Sequence, residues 1–314
     1  MRKITQLVIT AILFLSGSLY LYINREHLSV LGSISAGNLA LLTLVTFSFF
    51  CASGYTFKIL VGVLEVRMNL TETIGLSILS NFSNYIMPGR PGAALKAVYL
   101  KTTKRLEYSK FTAVLAANMF LALFMMGISG ALLIPMTSDL KEGSGLQLLF
   151  ICMIIMIVSV LPFVTRLPNI TLEGRKGNIL RSAFEGFILI RSNKKKLFSV
   201  CMSFLLQFVL AAFTIKIAYS SLGLSITLLS AMLIGVFTAI ANLFTITPNN
   251  IGIQELVIAY LVTIVGLDFA NGIIGAGLMR IVHIVITLAL TPIFSFFLLR
   301  RAGISLNAQN QIIE

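Results

Sequence analysis

The chain has 314 residues, of which 57% are hydrophobic and 11% are charged, and its mean hydropathy is +0.97. Soluble domains contain about 25% charged residues, so this composition excludes an ordinary soluble domain and predicts an all-α polytopic membrane protein. The net charge of +13 could also indicate nucleic-acid binding, but a soluble basic face does not fit the long apolar runs. We therefore expect anionic lipid headgroups as partners, and no nucleic acid.

Six apolar segments are long enough to cross a membrane as helices of about 20 residues. They cover residues 4–23, 39–64, 111–135, 146–165, 197–222 and 271–299. The first segment follows Arg2 and Lys3 and could pass for a signal peptide. Because it is long and no clear cleavage site follows it, we expect a retained transmembrane helix.

Two further apolar stretches are interrupted in the middle by the pattern Pro-x-x-x-Gly. They cover residues 73–100 and 227–265. Pro88 and Gly92 in the first stretch correspond to Pro248 and Gly252 in the second, 160 residues later (248 − 88). Interrupted hydrophobic segments at matching positions in two halves of a chain are typical of a transporter's binding site.

The charges of the loops predict how these two stretches lie in the membrane. If both are re-entrant and the N-terminus is inside, every basic cluster lies on the cytoplasmic side, as the positive-inside rule requires. The largest cluster is the loop 166–196, with eight Lys and Arg residues. Two full crossings would put that loop outside, and one crossing would divide the basic clusters between the two faces. We therefore predict about six transmembrane helices plus two re-entrant hairpins, with both termini cytoplasmic.

The two halves of the predicted topology have the same order of elements in opposite orientation. Within a single transmembrane domain, 1–314, residues 39–135 and 197–299 would form an inverted-topology repeat. A second match supports the repeat, because the residues YTFKI at 55–59 resemble FTIKI at 213–217.

Six residues around the first interruption are candidates for substrate binding. They are Asn84, Pro88, Gly89, Arg90, Gly92 and Lys96. The amides at the start of a half-helix suit a phosphate group, the glycines allow close approach of the backbone, and Arg90 could bind a phosphate with two hydrogen bonds. Alternatively, Pro88 and Gly92 only shape a turn, and Arg90 faces cytosolic water.

The second interruption and the last helix supply the remaining candidates. They are Lys216, Pro248, Asn249, Gly252, Glu255, Arg280 and His283. Glu255 lies in a run without other charges, where an unpaired carboxylate is costly, so we expect Arg280 or Lys216 as its partner. Glu255, Arg280 and His283 would form a charge relay or a headgroup site. The alternatives are a static buried ion pair and, for Lys216, snorkelling of its side chain to the membrane surface.

The chain shows no pattern typical of a catalytic triad, a nucleotide-binding loop or a metal site. Its three cysteines lie inside apolar runs without metal-ligand spacing. We expect no enzyme activity, no cofactor and no bound metal.

The stretches FSNYIMPGRPGAALKAVYLKTTK and TPNNIGIQELVIAYL resemble the two signature regions of a known family, the flippase-like transmembrane region of lysylphosphatidylglycerol synthases. The resemblance covers roughly residues 5–300, and GLMR ending at Arg280 resembles the family's arginine in its last helix. The chain departs from the family at Asn118-Met119, where Glu-Arg is common, and at Pro248-Asn249-Asn250-Ile251-Gly252, where more Pro and Gly are usual. No aminoacyl-transferring domain follows residue 301, so synthase activity is not expected.

The resemblance implies that the protein moves an anionic lipid, or a headgroup linked to polyprenyl phosphate, across the inner (cytoplasmic) membrane. One alternative is a proton-coupled transporter of a small anion. Another is a non-catalytic membrane subunit that has envelope biosynthesis enzymes as partners.

Overall fold

The computed structural model describes residues 32, 34–86, 90–138, 140, 143–164, 193–243 and 247–310, and these residues form helices joined by short loops. The helices are α1 (Ala36–Val63), α2 (Leu70–Ile86), α3 (Pro91–Lys104), α4 (Tyr108–Leu133), α5 (Ser144–Val164), α6 (Lys194–Ser221), α7 (Leu228–Ala241), α8 (Ile253–Ile264) and α9 (Phe269–Asn310). Short 3₁₀ turns lie at Ile134–Met136 and Pro248–Asn250. The predicted all-α class is confirmed.

Four helical segments of the described residues are long and apolar enough to cross a membrane. They are Ala36–Val63, Tyr108–Met136, Lys194–Ser221 and Phe269–Gly303. They coincide with four of the six predicted spans and confirm a helical membrane protein. Another predicted span, 146–165, forms α5, whose apolar segment Ser144–Val160 is shorter. The predicted span 4–23 and most of the basic loop 166–196 lie outside the described residues.

Two buried threonines of α1 form hydrogen bonds with the backbone of their own helix. Thr46 Oγ1 donates to the Leu42 carbonyl at 2.7 Å, and Thr56 Oγ1 donates to the Ala52 carbonyl at 3.0 Å. Hydrogen bonds of this kind, to a carbonyl one turn back, let hydroxyl groups stay inside an apolar helix.

The four remaining helices form two pairs whose members contact each other, α2 with α3 and α7 with α8. Helices α2, α3, α7 and α8 contain 17, 14, 14 and 12 residues. At 1.5 Å per residue, the three shortest are about 18–21 Å long, which is less than the roughly 30 Å of the hydrocarbon core. Each pair therefore contains at least one helix that is too short to cross a bilayer unaided.

The first pair is held together where its two helices approach each other most closely. Ser80 Oγ donates to the Gly92 carbonyl at 3.0 Å, and the Gly92 N–H donates to Asn84 Oδ1 at 2.9 Å. A Cβ atom at Gly92 would overlap the Ser80 carbonyl, so this position requires glycine. Pro91 occupies the first turn of α3, where its missing N–H leaves no hydrogen bond unmade.

Helices α1 and α6 pack against each other in antiparallel orientation. Lys196, near the start of α6, donates from Nζ to the carbonyl of Gly62 at the end of α1, at 2.6 Å. Closer to the middle of the two helices, Gln207 Nε2 donates to Thr56 Oγ1 at 2.7 Å, and the hydroxyls of Thr56 and Ser203 share a hydrogen bond. In addition, α2 packs on α9, and α7 packs on α4.

A buried carboxylate ties the end of α9 to the first helix pair. Glu72 in α2 is only 2% exposed, and it accepts a hydrogen bond from Tyr99 OH at 2.6 Å. It also pairs with Lys104 at 3.4 Å and with Arg301 at 3.2 Å. We call Glu72, Tyr99, Lys104 and Arg301 the Glu72 cluster; it joins α2, α3 and α9.

Candidate functional site

Arg90, in the first interruption, contacts the end of α7, the helix that leads into the second interruption. Arg90 has a left-handed backbone (φ 60°) directly before α3. Its Nη2 atom donates to the carbonyls of Asn242 at 3.1 Å and Leu243 at 2.6 Å, at the end of α7. The last carbonyls of a helix lack partners within the helix and carry partial negative charge. An arginine from the first interruption therefore caps the helix that leads into the second.

Arg280 is the centre of a larger group of polar contacts. Its Nε atom pairs with Glu255 Oε1 at 2.5 Å, its Nη2 donates to Gln254 Oε1 at 2.9 Å, and its Nη1 donates to the Asn249 carbonyl at 3.0 Å. The side chains of Arg280 and Glu255 are 12% and 16% exposed. Arg280 comes eleven residues after Phe269, the first residue of α9 (280 − 269), so it lies about 16 Å along that helix.

The first helix pair reaches the same group through Tyr85, near the end of α2. The Tyr85 hydroxyl lies 3.4 Å from Arg280 Nη1 and 2.8 Å from His283 Nδ1. The His283 ring also packs against Phe50, with a centroid distance of 4.7 Å. We call Tyr85, Asn249, Gln254, Glu255, Arg280 and His283 the Arg280 network; it joins α2, the second interruption, α8 and α9.

The backbone conformation of the second interruption explains why it contains asparagine and glycine. Asn249 and Asn250 have φ angles of 44° and 54°, and Gly252 has a φ of 84°. Asparagine adopts the left-handed region more readily than other residues that have a Cβ atom, and glycine does so without steric cost. The sequence Pro-Asn-Asn-Ile-Gly therefore makes the sharp turn that turns the Asn249 carbonyl toward Arg280.

The amides at the starts of the two half-helices already have partners within the protein. The Gly252 N–H donates to Glu255 Oε2 at 2.7 Å, which is the carboxylate half of a capping box. The Gly92 N–H donates to Asn84 Oδ1. In this conformation, then, protein groups occupy the positions that the sequence suggested for a phosphate.

The structure separates the two predicted lysines from this group. Lys96 points into the space between α1, α4 and α6, with Nζ 4.5 Å from the centre of the Phe57 ring. Lys216 is half-buried on α6, and Glu255 pairs with Arg280 rather than with it. Pro88 and Gly89 lie outside the described residues, while Pro248 is buried in the 3₁₀ turn.

Sequence reasoning missed Tyr85, Gln254 and the carbonyl groups of Asn242 and Leu243. The spacing of Gly252 and Glu255 could have revealed the cap, because a glutamate three residues after the N-cap is typical of a capping box. Within the described ranges, no group of three or more His, Cys, Asp or Glu side chains could hold a metal ion.

Apolar spanning helices, together with a charged network buried among them, define this chain as a polytopic membrane protein. The family of lysylphosphatidylglycerol synthase TM regions matches residues 4–291. The chain therefore belongs to this family, whose members are membrane domains of the lipid-modification and flippase type, and the resemblance seen in the sequence is confirmed. No curated protein matches the chain.

Proposed function

We propose that the protein is a flippase-like transporter that moves an anionic lipid, or a headgroup linked to polyprenyl phosphate, across the inner membrane. The observation that carries this proposal is the Arg280 network, which brings two interrupted helix pairs together inside a membrane domain of this family. Ionisable side chains within a membrane are rare and usually mark a substrate pathway. The protein carries out translocation and no chemical reaction.

Both helix pairs are re-entrant in this proposal. Helices of about 18–21 Å cannot cross a hydrocarbon core of roughly 30 Å, but a pair of them can enter and leave by the same face. Irregular backbone at membrane depth is tolerated where it is buried in protein or lines a cavity. Burial of Pro248 and Asn250, together with the contact of Arg90 with the end of α7, supports this placement.

The two halves form an inverted repeat in this proposal, and their element order supports it. Each half contains a long helix, two short helices and another long helix. Helices α1 and α6 both have 28 residues and start 158 positions apart (194 − 36), and α2 and α7 start at the same offset (228 − 70). Antiparallel packing of α1 on α6, together with the matching contacts of α2 with α9 and α7 with α4, fits two halves related by an axis in the membrane plane.

Transport follows from rocking of one half against the other around the interruptions. Arg90 and Arg280 exchange protein oxygens for oxygens of the headgroup, while the acyl chains stay in the bilayer. Arginine suits this exchange, because its planar guanidinium binds carbonyl, carboxylate and phosphate oxygens with similar geometry. The termini and the basic loop remain on the cytoplasmic side, where anionic lipid favours them.

Translocation of a fluorescent anionic phospholipid in reconstituted vesicles tests this function. We expect Arg90→Ala and Arg280→Ala to slow translocation about tenfold or more, because a hydrogen bond to a charged group contributes roughly 1.5–3 kcal/mol and about 1.4 kcal/mol is a tenfold change in rate. Arg67→Ala, at an exposed loop arginine, is the matched control. Rates are compared for equal amounts of monodisperse protein. Full activity of both variants would show that the two arginines are not the site.

A further inference from the structure

A cavity of about 110 Å³ lies between α1, α3, α4 and α6, apart from the Arg280 network. Its polar wall consists of Ser53, Thr56, Lys96, Asn118 and Gln207. This volume holds several water-sized groups. The cavity places one cation beside hydroxyl and amide groups, while the rest of its wall is apolar.

Lys96 is the unusual member of this wall. Its ammonium group lies 4.5 Å from the centre of the Phe57 ring, and in the described part of the chain it has no carboxylate within ion-pair distance and no hydrogen-bond acceptor. Contact with an aromatic face stabilises a desolvated ammonium only in part, and an unpaired charge among apolar groups is costly. A ligand that carries negative charge would supply the missing partner.

The amide and hydroxyl groups around Lys96 are partly committed to the protein. Gln207 Nε2 donates to Thr56 Oγ1 and to the Ser203 carbonyl, which fixes the position of its side chain. Ser53 Oγ accepts a hydrogen bond from Ser77, so its own proton remains available to a ligand. Asn118 makes no hydrogen bond with the described residues, and its amide is a further donor. Donors from α1, α3 and α4 therefore converge on one small space.

One wall of the cavity also lies at the exposed surface of α4. Leu115, which lies in its wall, is 39% exposed on the membrane-spanning helix α4. Asn118 comes ten residues after Tyr108, the first residue of α4 (118 − 108), so it lies about 15 Å along that helix. A group bound here could remain attached to acyl chains that lie in the lipid beside α4.

We propose that this cavity, which we call the Lys96 pocket, binds the phosphate group of an anionic ligand through the Lys96 ammonium and the donors of Ser53 and Asn118. The inference rests on the proposed function, because it places the lipid headgroup in the Lys96 pocket before it reaches Arg90 and Arg280. A phosphate group can come from a phospholipid or from a soluble phosphate ester, and these two sources share the chemistry that the pocket recognises.

Binding to detergent-purified protein tests the pocket directly. Native mass spectrometry with phosphatidylglycerol, phosphatidylcholine and soluble glycerol phosphate separates an anionic lipid, a zwitterionic lipid and a free phosphate ester. We expect Lys96→Met to weaken binding of the anionic ligand about tenfold, equivalent to about 1.4 kcal/mol, and Lys96→Arg to retain most of it. Preference for phosphatidylglycerol assigns the pocket to a lipid, and preference for glycerol phosphate assigns it to a soluble ester.

The chain offers a matched control in Lys101→Met. Lys101 lies on the same helix and packs on the Tyr108 ring at 4.3 Å, but it is exposed and lines no part of the pocket. Unchanged binding in Lys96→Met, or an equal loss in Lys101→Met, would overturn the proposal. So would a preference for phosphatidylcholine.

Translocation in vesicles distinguishes failure of the pocket from failure of the proposed function. Wild-type translocation rates in Lys96→Met would overturn the role of the pocket in transport and leave the flippase proposal intact. Conversely, a wild-type protein that binds phosphate through Lys96 but translocates no lipid would overturn the flippase proposal and leave the pocket intact.

Discussion

Arg280 joins three parts of the chain with one side chain. It donates to Glu255 and Gln254 in α8, to the carbonyl of Asn249 in the second interruption, and to Tyr85 in α2. A guanidinium has five N–H donors in a fixed plane, whereas an ammonium has three on one atom. In a largely buried site each donor that loses its partner is costly, so the contacts of the network depend on each other.

Replacing Glu255 with glutamine should destabilise the protein. Glu255→Gln keeps the shape of the side chain but leaves the charge of Arg280 unpaired, and breaking a buried pair in this way costs about 3–5 kcal/mol. We expect a clear drop in the thermal unfolding midpoint in detergent.

A double variant separates the stability that the ion pair contributes from the cost of losing either charged group alone. The cost of Glu255→Gln with Arg280→Gln should be smaller than the sum of the two single costs, because the second change removes a charge that the first left unpaired. Glu65→Gln, at an exposed position, should stay within about 0.5 kcal/mol of the wild type. Additive costs would mean that the pair contributes nothing to stability.

The pairing of Glu255 with Arg280 was predictable, but the rest of the network was not. A lone charge in an apolar run requires a partner, and the sequence offers few candidates. Tyr85 carries no such requirement, since a neutral phenol fits many environments. The acceptors of Arg90 are backbone carbonyls, which every residue has, so no sequence signal distinguishes Asn242 and Leu243. The substrate-binding roles of all the candidates, Glu255 and Arg280 included, stay predictions.

At the level of helices, Gly92 determines how closely α2 and α3 approach. We expect Gly92→Ala to push the two helices apart and to lower stability by about 1–3 kcal/mol, the range typical of overpacking, because the added Cβ overlaps the Ser80 carbonyl. Gly277→Ala is the control, since a Cβ there meets no atom within 4 Å and alanine favours helices by up to about 1 kcal/mol. Equal unfolding midpoints for the two variants would contradict the close packing of this pair.

The interruptions of these helices were predictable from proline and glycine, which mark breaks in an apolar run. Their mutual contact was not predictable, because Arg90 and Asn242 lie 152 residues apart and meet only through the packing of four helices. The left-handed backbone at Asn249 and Asn250 was also missed. The positions of those residues after a proline predict a turn, but they do not predict the direction in which the carbonyl groups of that turn point.

At the level of the whole molecule, the proposed topology predicts the side of the membrane on which each loop lies. In a chain with its native cysteines replaced, Glu65→Cys and Glu107→Cys should react with a membrane-impermeant thiol reagent from the cytoplasmic side. Ser225→Cys and Asp268→Cys should react from the outer side, because each re-entrant pair returns the chain to the face from which it entered. All four positions are exposed.

The two pairs of positions serve as controls for each other. Reaction of the thiols at 65 and 107 from opposite sides would contradict a re-entrant first pair, and the same result at 225 and 268 would contradict a re-entrant second pair. Loop charges and the order of apolar segments predict this arrangement, because both reflect how a chain inserts into a membrane, and it stays a prediction until the thiols are tested. The sequence could not predict which helices pack together.

The Glu72 cluster has a mechanical consequence. It fastens α9 to α2 near Arg301, and the Arg280 network fastens the same two helices again near Tyr85. A helix attached to its neighbour at one point can pivot about that point, whereas a helix attached at two points cannot swing away. Helix α9 can therefore separate from the first helix pair only after one of the two attachments has opened. Pro292 lies between the two attachments, inside α9, and since proline is the usual place where a helix bends, α9 can bend there when one attachment opens and the other holds.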